Sequence, residues 1–346
     1  MSARTGWQEC QDDLVAGLLG QHYGLKVSRS ERLVRESVNV VRRLTTDQGV
    51  YTLKQLGRTA GRPWLGFQAA AVRLAADAGI PVQEPVAAAD GSTTLFEDGR
   101  QWQLRPYVQG RAFAAGADAD LDRVGDCLAS LHALSTDGLS PVLSPAPDLE
   151  VWLSAEDDSE EKLERLHRLL TGVVPAAERD LALSAYRGAC HRARAELMAL
   201  GYPGWEPVLT HGEIAGSNLL FDPVDGTLSC VLDWDAVQLR PRAYDLARAC
   251  LFLGRKARGS FDLDAGRAAR VLRRATTARR LLPSETAALA PILELYFVPT
   301  PLYLSQLAEH GPEHLEWYVG WTVRGASRVR ATLAPVLDLL RSPVTT

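Results

Sequence analysis

Two short apolar stretches, each running into a cluster of polar side chains, constrain this 346-residue chain more than any other feature. The first reaches His211 and Glu213 and is followed by Asn218, while the second ends at Asp233 and Asp235. Such polar groups beside apolar strands are costly to bury unless a partner or a ligand satisfies them. Carboxylate and amide oxygens are also ligands that bind Mg²⁺. The segment therefore predicts a loop and a hairpin that gather these groups around a metal bound to a phosphate chain.

Composition and charge exclude several classes of protein. The chain is long enough to bury a large core and favours about two domains or lobes. Lysine and arginine number 38 against 42 aspartate and glutamate, and this net charge of −4 gives no general attraction to nucleic acid. The five cysteines are scattered, which indicates reduced thiols rather than a disulfide framework or a zinc site. With neither a signal-like N-terminus nor a run of roughly 18 apolar residues, we expect a cytoplasmic protein that does not enter a membrane.

The first hundred residues favour β-strands around one helix. Residues 32–44 mix β-branched and polar residues, and the turn Asp47–Gly49 separates them from residues 50–56, which predicts a hairpin. Lys54 lies within the second strand of this hairpin. A helical period runs from Phe67 to Ala78 and ends at a Gly-Ile-Pro sequence. Further strands are predicted over residues 82–86, 93–97 and 102–108.

The remainder of the chain predicts mainly helices. Apolar residues recur at helical spacing over residues 118–134, and long helical patterns follow over residues 176–200 and 315–340. A strand-rich front and a helix-rich back are typical of a two-lobed α+β fold, with a small β-rich N-lobe and a larger helical C-lobe. We place the nucleotide-binding lobe at residues 1–107 and the catalytic and substrate-binding lobe at residues 108–346, with a nucleotide cleft between them.

Each polar candidate also has an ordinary structural interpretation. Lys54 can reach phosphate oxygens from the inner face of a strand, although most strand lysines are simply solvated. His211 is interpreted as a buried imidazole that hydrogen-bonds to loop backbone, ahead of a role in proton transfer. Asn218 and Asp233 are candidate metal ligands that, taken singly, would be turn residues. Asp245 is predicted to lie at the start of a helix and to brace the loop.

In combination and in this order, the strand lysine, the His-Gly-acid sequence, the amide five residues after the acid and the strand-ending aspartate resemble the aminoglycoside phosphotransferase-like kinases. These kinases are a branch of the protein-kinase-like fold with spore-coat, homoserine and choline or fructosamine kinase relatives. The resemblance covers roughly residues 23–245, and Leu128–His132 matches a helix motif of the family. It implies a two-lobed protein-kinase-like fold, ATP and Mg²⁺ as cofactors, and transfer of phosphate to a hydroxyl. It assigns catalytic roles to Glu213 and His211, metal binding to Asn218 and Asp233, and ATP binding to Lys54, Asn39, Gln68, Gln103, Leu104, Arg105 and Tyr107.

Two positions depart from the family pattern. The presumed base is Glu213, one methylene longer than the aspartate of the family. The helix that would supply a carboxylate partner for Lys54 offers Gln68, which can hydrogen-bond the ammonium but adds no charge. A displacement of about 1 Å can cost on the order of a hundredfold in rate, yet phosphoryl transfer depends mainly on positioning and charge neutralisation. An active kinase is favoured; the alternative is a pseudokinase that acts as a nucleotide-binding scaffold for a protein partner.

The sequence leaves the acceptor open between a small molecule and a Ser or Thr hydroxyl of a peptide. The acidic run at residues 156–161 would suit a cationic acceptor such as an amino sugar. The longer basic run over residues 255–280 would suit an acidic peptide or a phosphate. Both also have the ordinary interpretation of a solvated face. An aromatic cluster is expected to pack mainly as core, with one or two rings in the acceptor pocket; it comprises Tyr296, Phe297, Tyr303, Trp317, Tyr318 and Trp321.

Overall fold

An antiparallel sheet forms most of the N-lobe in the computed structural model, which describes residues 12–34, 39–142, 144–145, 148–153, 156–309 and 311–342. Its five strands lie in the order β1-β2-β3-β5-β4. Leu53 and Leu104 face each other in register in the lobe core, and their neighbours Lys54 and Gln103 pair on the opposite face of the same two strands. The elements are α1 (Asp12–Tyr23), β1 (Val27–Val34), β2 (Val40–Thr46), β3 (Gly49–Gln55), β4 (Leu95–Glu97) and β5 (Arg100–Pro106).

Two strand predictions in this lobe are wrong. Residues 32–44, predicted as one strand, belong partly to β1 and partly to β2, which pair with each other; the intervening residues 35–38 lie outside the described residues. The strand predicted over residues 82–86 is absent from the described structure, where Val82 alone forms a bridge, to Val231. Pro85 has no N–H with which to continue a ladder. The predicted hairpin itself is confirmed, because β2 pairs with β3.

Helix α2 (Arg62–Asp77) follows the sheet in sequence but packs against the C-lobe. Phe67 and Ala71 belong to the same buried cluster as the helices of that lobe. The helix begins five residues earlier than predicted, with a proline in its first turn, where the missing N–H is not needed. Just beyond the helix, the N–H of Val231 donates to the carbonyl of Pro81 at 2.7 Å. These contacts connect the two lobes, whose boundary at residue 107 we retain as a proposal.

Helices make up most of the C-lobe. The predicted helices over residues 118–134, 176–200 and 315–340 are confirmed as α3 (Asp118–His132), α6 (Ala176–Ala199) and α11 (Pro312–Arg341). The other helices are α4 (Leu149–Leu153), α5 (Glu156–Leu170), α7 (Ala243–Gly254), α8 (Ala265–Ala275), α9 (Pro283–Tyr296) and α10 (Pro301–Ala308). One small sheet contains β6 (Arg111–Ala112), β8 (Leu219–Phe221) and β9 (Leu228–Val231), and another pairs β7 (Val208–Thr210) with β10 (Gln238–Arg240).

One apolar stretch of the C-lobe is long enough to cross a membrane by length and composition alone, contrary to the expectation from the sequence. It runs over Pro283–Ala308, and 78% of its most apolar window is buried inside the protein. The stretch is divided between α9 and α10, and Leu289, Leu293 and Leu304 are all at most 1% exposed. Burial of this kind is what helices of a protein core require.

Candidate active site

A cleft with a volume of about 1060 Å³ lies between the sheet and the C-lobe. Residues from β3, from the chain after β5, from the segment after β7 and from the end of β9 all line it. Of the predicted site residues, the cleft is lined by Asn39, Lys54, Arg105, Tyr107, Glu213, Asn218 and Asp233. The structure therefore brings together residues that lie up to 194 positions apart in the chain (Asn39 and Asp233).

Lys54 is held by two carboxylates of the C-lobe. Its Nζ lies 2.7 Å from Oδ1 of Asp233 and 2.7 Å from Oδ1 of Asp235. The side chain is buried, and burial by itself would lower the pKa of the Lys54 ammonium. The two carboxylates outweigh that cost and keep the pKa above its ordinary value, so the lysine remains a cation.

Asp235 supplies the negative charge that sequence reasoning sought on helix α2. Gln68 is buried, and its amide donates to Oδ1 of Asp235 at 3.1 Å and to the carbonyl of Trp234 at 3.1 Å. Asn39 donates to the other carboxylate oxygen, Asp235 Oδ2, at 2.8 Å. The prediction that Gln68 would be a weak partner of Lys54 is thus corrected: Gln68 orients the carboxylate that pairs with the lysine. The second acid of Asp-Trp-Asp was the available sequence signal.

The predictions for β5 divide according to the face of the strand. Arg105 and Tyr107 line the cleft as predicted. Leu104 does not: its side chain is fully buried in the N-lobe core because it faces the opposite side of the sheet. Gln103 is also not a lining residue; its amide donates to Oε1 of Gln68 at 2.9 Å and so supports the lysine network from behind.

Arg105 is a buried cation beside the lysine network. Its guanidinium donates to the carbonyl of Gln83 at 3.0 Å and to Oε1 of Gln103 at 2.7 Å, while its Nε has no partner within the described residues. Burial lowers the pKa of Arg105, and the carboxylates of Asp235 and Asp233 offset only part of that effect. A guanidinium offers only donors. This side of the cleft therefore suits a ligand rich in acceptor atoms.

The loop after β7 is fixed from below by Asp245, as predicted. Its carboxylate accepts the backbone N–H of His211 at 2.8 Å and that of Gly212 at 2.7 Å, and Nε2 of His132 lies 3.2 Å away. Burial would raise the pKa of Asp245, but the bonds from His132 and from the loop backbone hold it below its ordinary value. Gly212 has φ of +82°, and a Cβ there would lie 2.4 Å from the carbonyl oxygen of Ala236. Only glycine fits this turn.

His211 is held on both sides of its ring by the backbone of the loop and of the segment after β9. Its ring is fully buried, Nε2 lies 2.9 Å from the carbonyl of Leu232, and Nδ1 accepts the N–H of Glu213 at 3.2 Å. These partners assign a neutral imidazole that donates through Nε2, and burial lowers the pKa of His211 accordingly. Both ring nitrogens are engaged by the backbone, an arrangement that favours the structural interpretation of His211 over the predicted catalytic role.

Glu213 projects into the cleft with a free carboxylate. No hydrogen bond or ion pair engages its side chain within the described part of the chain. Burial raises the pKa of Glu213, nearby Arg248 offsets part of that rise, and Asp233 and Asp235 add to it. A carboxylate with a raised pKa and no hydrogen-bond or ion-pair partner among the described residues is suited to accept a proton.

Asn218 and Asp233 form a donor set that fits a divalent cation. Asn218 lines the cleft; its amide nitrogen donates to the carbonyl of Glu213 at 3.0 Å, and its Oδ1 accepts the Ser217 hydroxyl at 3.4 Å and keeps a second lone pair for a ligand. Asp233 adopts a left-handed backbone conformation, with φ of 61° and ψ of 67°. Such a conformation costs a non-glycine residue of order 1 kcal/mol and clusters at functional sites. One carboxylate and one amide oxygen are a ligand set that suits Mg²⁺ held together with phosphate oxygens.

Replacing Asp245 by asparagine is expected to reduce the free energy of unfolding by about 2–3 kcal/mol, because charged hydrogen bonds to two backbone N–H groups and His132 are lost. The wild-type carboxyl has a lowered pKa in the folded state, so its contribution is present above the unfolded-state pKa and fades as pH falls through the folded-state pKa. Denaturant unfolding at neutral and acidic pH measures both effects. Asp77→Asn, an exposed change of the same charge, is the control, and an equal loss in both variants would contradict the bracing role.

Comparison with known proteins identifies the family. Residues 32–282 match the model of the family described as the phosphotransferase enzyme family. The chain belongs to this family. The resemblance inferred from the loop and lysine residues is thereby confirmed, although no curated protein matches the sequence significantly.

Solved structures show that this phosphotransferase has the kinase-like fold. A microcompartment-associated aminopropanol kinase aligns with a TM-score of 0.67 at 18% identity, covering 94% of this chain and 99% of that one. A spectinomycin phosphotransferase, solved with ADP and spectinomycin, gives 0.63 at 12% identity over 93% and 99% of the two chains. An amicoumacin kinase, solved with AMP-PNP and Ca²⁺, gives 0.62 at 13% identity over 92% and 94%. The two-lobed α+β prediction is confirmed.

Proposed function

We propose that this phosphotransferase transfers the γ-phosphate of ATP to a hydroxyl group of a small molecule. The observation that carries the proposal is the convergence of Lys54, Asp233 and the unpartnered Glu213 on one cleft. Structurally similar proteins have been solved with ADP or AMP-PNP, which supports a nucleotide as the phosphate donor. The pseudokinase alternative rested partly on Gln68, and Asp235 now supplies the missing charge.

The nucleotide is proposed to lie with its base against the chain after β5 and its phosphates toward Lys54. Val108 lines the cleft there, and neither its N–H nor its carbonyl takes part in a hydrogen bond among the described residues. A free backbone donor and acceptor match the edge of a purine base. Asn218 and Asp233 would hold Mg²⁺, which when bound neutralises charge on the phosphates. Lys54 is a point charge suited to the same oxygens.

The chemistry assigned to the chain is a proton transfer and a positioning task. Glu213 accepts the hydroxyl proton of the acceptor as the acceptor oxygen bonds to the γ-phosphorus. The bond from that phosphorus to the bridging oxygen breaks, and ADP leaves with the electron pair. The loop that carries Glu213 is fixed by Asp245 at two backbone N–H groups, so the carboxylate is preorganised. One phosphate ester, one ADP and one proton are formed for each ATP.

Binding of Mg²⁺ and AMP-PNP tests the nucleotide part of the proposal. A nucleotide at a hundredfold excess over its Kd should stabilise the wild-type protein by about 2.7 kcal/mol. The stabilisation should require Mg²⁺, and Asp233→Ala should remove the metal dependence because it removes the carboxylate ligand. Thermal unfolding with and without Mg²⁺ measures both. Asp222→Ala, a turn aspartate that does not line the cleft, is the control. Equal thermal shifts with and without metal in all three proteins would overturn the site.

A further inference from the structure

One part of the cleft lining is basic. Arg255, Lys256 and Arg258 form it, and together they are named the basic segment. Phe252 and Tyr296 supply apolar walls beside them. In the whole lining, Glu213 and Asp233 are the only acidic side chains within the described residues. Glu213 and the basic segment line the same cleft, and the Glu213 carboxylate is near enough to Arg255 to raise its pKa, so an acceptor whose hydroxyl lies at Glu213 can contact the basic segment.

The basic segment is held in place by its backbone. It follows α7, where the N–H of Lys256 donates to the carbonyl of Asp262 at 2.9 Å, and the N–H of Asp264 donates to the carbonyl of Gly254 at 2.8 Å. The indole of Trp321 donates to the carbonyl of Gly259 at 2.9 Å. Long-range bonds of this kind fix the direction in which the segment runs. The three charges therefore belong to a structured wall of the cleft.

No carboxylate neutralises the basic segment within the described residues. The two acids of the same connection are engaged elsewhere: Asp262 pairs with Arg328 at 3.2 Å, and Asp264 accepts the backbone N–H of Arg267 at 3.0 Å at the start of α8. Arg255 stacks over Phe252, and burial lowers its pKa. Three cations that line one cleft and form no ion pair among the described residues favour an anionic ligand.

The arginines of α8 behave differently, although they continue the same basic run in the sequence. Arg270 pairs with Asp122 at 2.7 Å and with Asp118 at 2.7 Å, so its charge is satisfied by helix α3. Arg274 likewise pairs with Asp126. The structure thus separates a neutralised helix face from the unneutralised basic segment, a distinction that the sequence did not provide.

The acidic run that suggested a cationic acceptor does not line the cleft. It lies on α5, where Glu160 is engaged by Arg187 at 3.2 Å and by His191 at 2.9 Å. Its remaining described acids, Asp158 and Glu161, are exposed. The expectation of an amino-sugar acceptor loses its structural basis. The side chains without an ion-pair partner that line the cleft beside Glu213 include three of the opposite charge.

We infer that the acceptor is an anionic hydroxyl compound, whose carboxylate or phosphate group binds the basic segment while its hydroxyl lies at Glu213. This inference rests on the proposed function and adds the substrate class. Arginine offers paired donors that match both carboxylate and phosphate oxygens. One charge-assisted hydrogen bond is enough for about a tenfold gain in affinity. An anionic group should therefore distinguish the acceptor from neutral or cationic analogues of the same shape.

The test measures binding to the protein saturated with Mg²⁺ and AMP-PNP, which fills the nucleotide site. The probes are glucosamine, glucose, glucuronate and glucose 6-phosphate, which share a ring and differ in charge, together with inorganic phosphate. We expect at least one of the anions to bind about tenfold or more tighter than glucose. Glucuronate and glucose 6-phosphate distinguish carboxylate from phosphate recognition. Inorganic phosphate reports the charge site without any dependence on the ring.

The matched variant is Arg255→Gln/Lys256→Gln/Arg258→Gln, which should remove the preference for anions while leaving AMP-PNP affinity within about twofold. Its control, Arg165→Gln/Arg168→Gln/Arg280→Gln, changes exposed side chains by the same charge outside the cleft and should keep the preference. Binding of glucosamine as tight as that of the anions, or no anion binding that depends on the basic segment, would overturn the inference. Absence of AMP-PNP binding in the wild-type protein would instead overturn the proposed function.

Discussion

Replacing Glu213 by glutamine is expected to lower kcat by about 10²–10⁴, the usual contribution of a general base. The amide cannot accept the hydroxyl proton, but it keeps the size of the side chain and leaves Lys54 and Asp233 in place. The affinity for AMP-PNP should therefore change little. The measurement is turnover with an acceptor identified by a mass-shift screen, alongside nucleotide binding. Unchanged turnover would remove Glu213 from the mechanism.

Two further measurements refine the assignment of Glu213. Because burial raises the pKa of Glu213, activity of the wild-type protein should fall as pH drops through that raised value, and this acid limb should vanish in Glu213→Gln. The activity of Glu213→Asp should lie between that of the wild-type protein and that of the glutamine variant, because the shorter side chain withdraws the carboxylate by about 1 Å. Glu161→Gln, on the exposed face of α5, is the charge control. Absence of turnover above background in every variant, with the wild-type protein included, is the result expected of a pseudokinase.

Replacing Lys54 by methionine should lower kcat/KM by about 10²–10³, the range seen when one preorganised donor to developing charge is removed. Asp235→Asn should lower it in the same direction, because the lysine then has Asp233 as its only carboxylate partner. Steady-state kinetics with ATP as the varied substrate measures both changes. Asp225→Asn, in an exposed turn, controls for loss of one negative charge.

Moving the negative charge of Asp235 to the neighbouring residue Gln68 by mutation tests whether Asp235 acts through Lys54. Gln68 and Asp235 hydrogen-bond each other in the wild-type protein. In Gln68→Glu/Asp235→Asn the amide and the carboxylate change places, so the carboxylate lies on helix α2. We expect this double variant to be about tenfold more active than Asp235→Asn. A double variant less active than either single variant would show that the position of the carboxylate, and not its presence near the lysine, is what matters.

The structure places four of the predicted site residues, Lys54, Glu213, Asn218 and Asp233, around one cleft, and their roles in catalysis and in binding metal or nucleotide stay predictions. Their order and spacing in the sequence resemble those of a phosphotransferase family, whereas no comparable pattern indicated that residues 32–44 are divided between two strands. Leu104 was assigned to the site wrongly because successive residues of a strand alternate between its two faces, and Leu104 faces the core. Gln103 lies on the same face as Arg105 but is turned toward Gln68 instead of the cleft, a contact that only the fold reveals.

The role of Asp235 could not be derived from sequence for a different reason. Its partners Asn39, Lys54 and Gln68 lie more than 160 residues away, and only the meeting of the two lobes places them together. The basic segment is a similar case. Its charges are distinguished from those of α8 solely by which carboxylates the fold places within reach. Spacing along a chain does not contain that information.

The anchoring of Lys54 on the C-lobe has a consequence for inhibitor design. Both of its carboxylate partners belong to a single turn. A compound that separates the lobes must therefore break both ion pairs of the buried Lys54 ammonium at the same time. Ligands that require an opened gap therefore begin at an energetic disadvantage. An inhibitor that offers its own carboxylate to Lys54 avoids this disadvantage. Its selectivity would come from a lysine whose carboxylate partners lie on the C-lobe, while helix α2 contributes the uncharged Gln68.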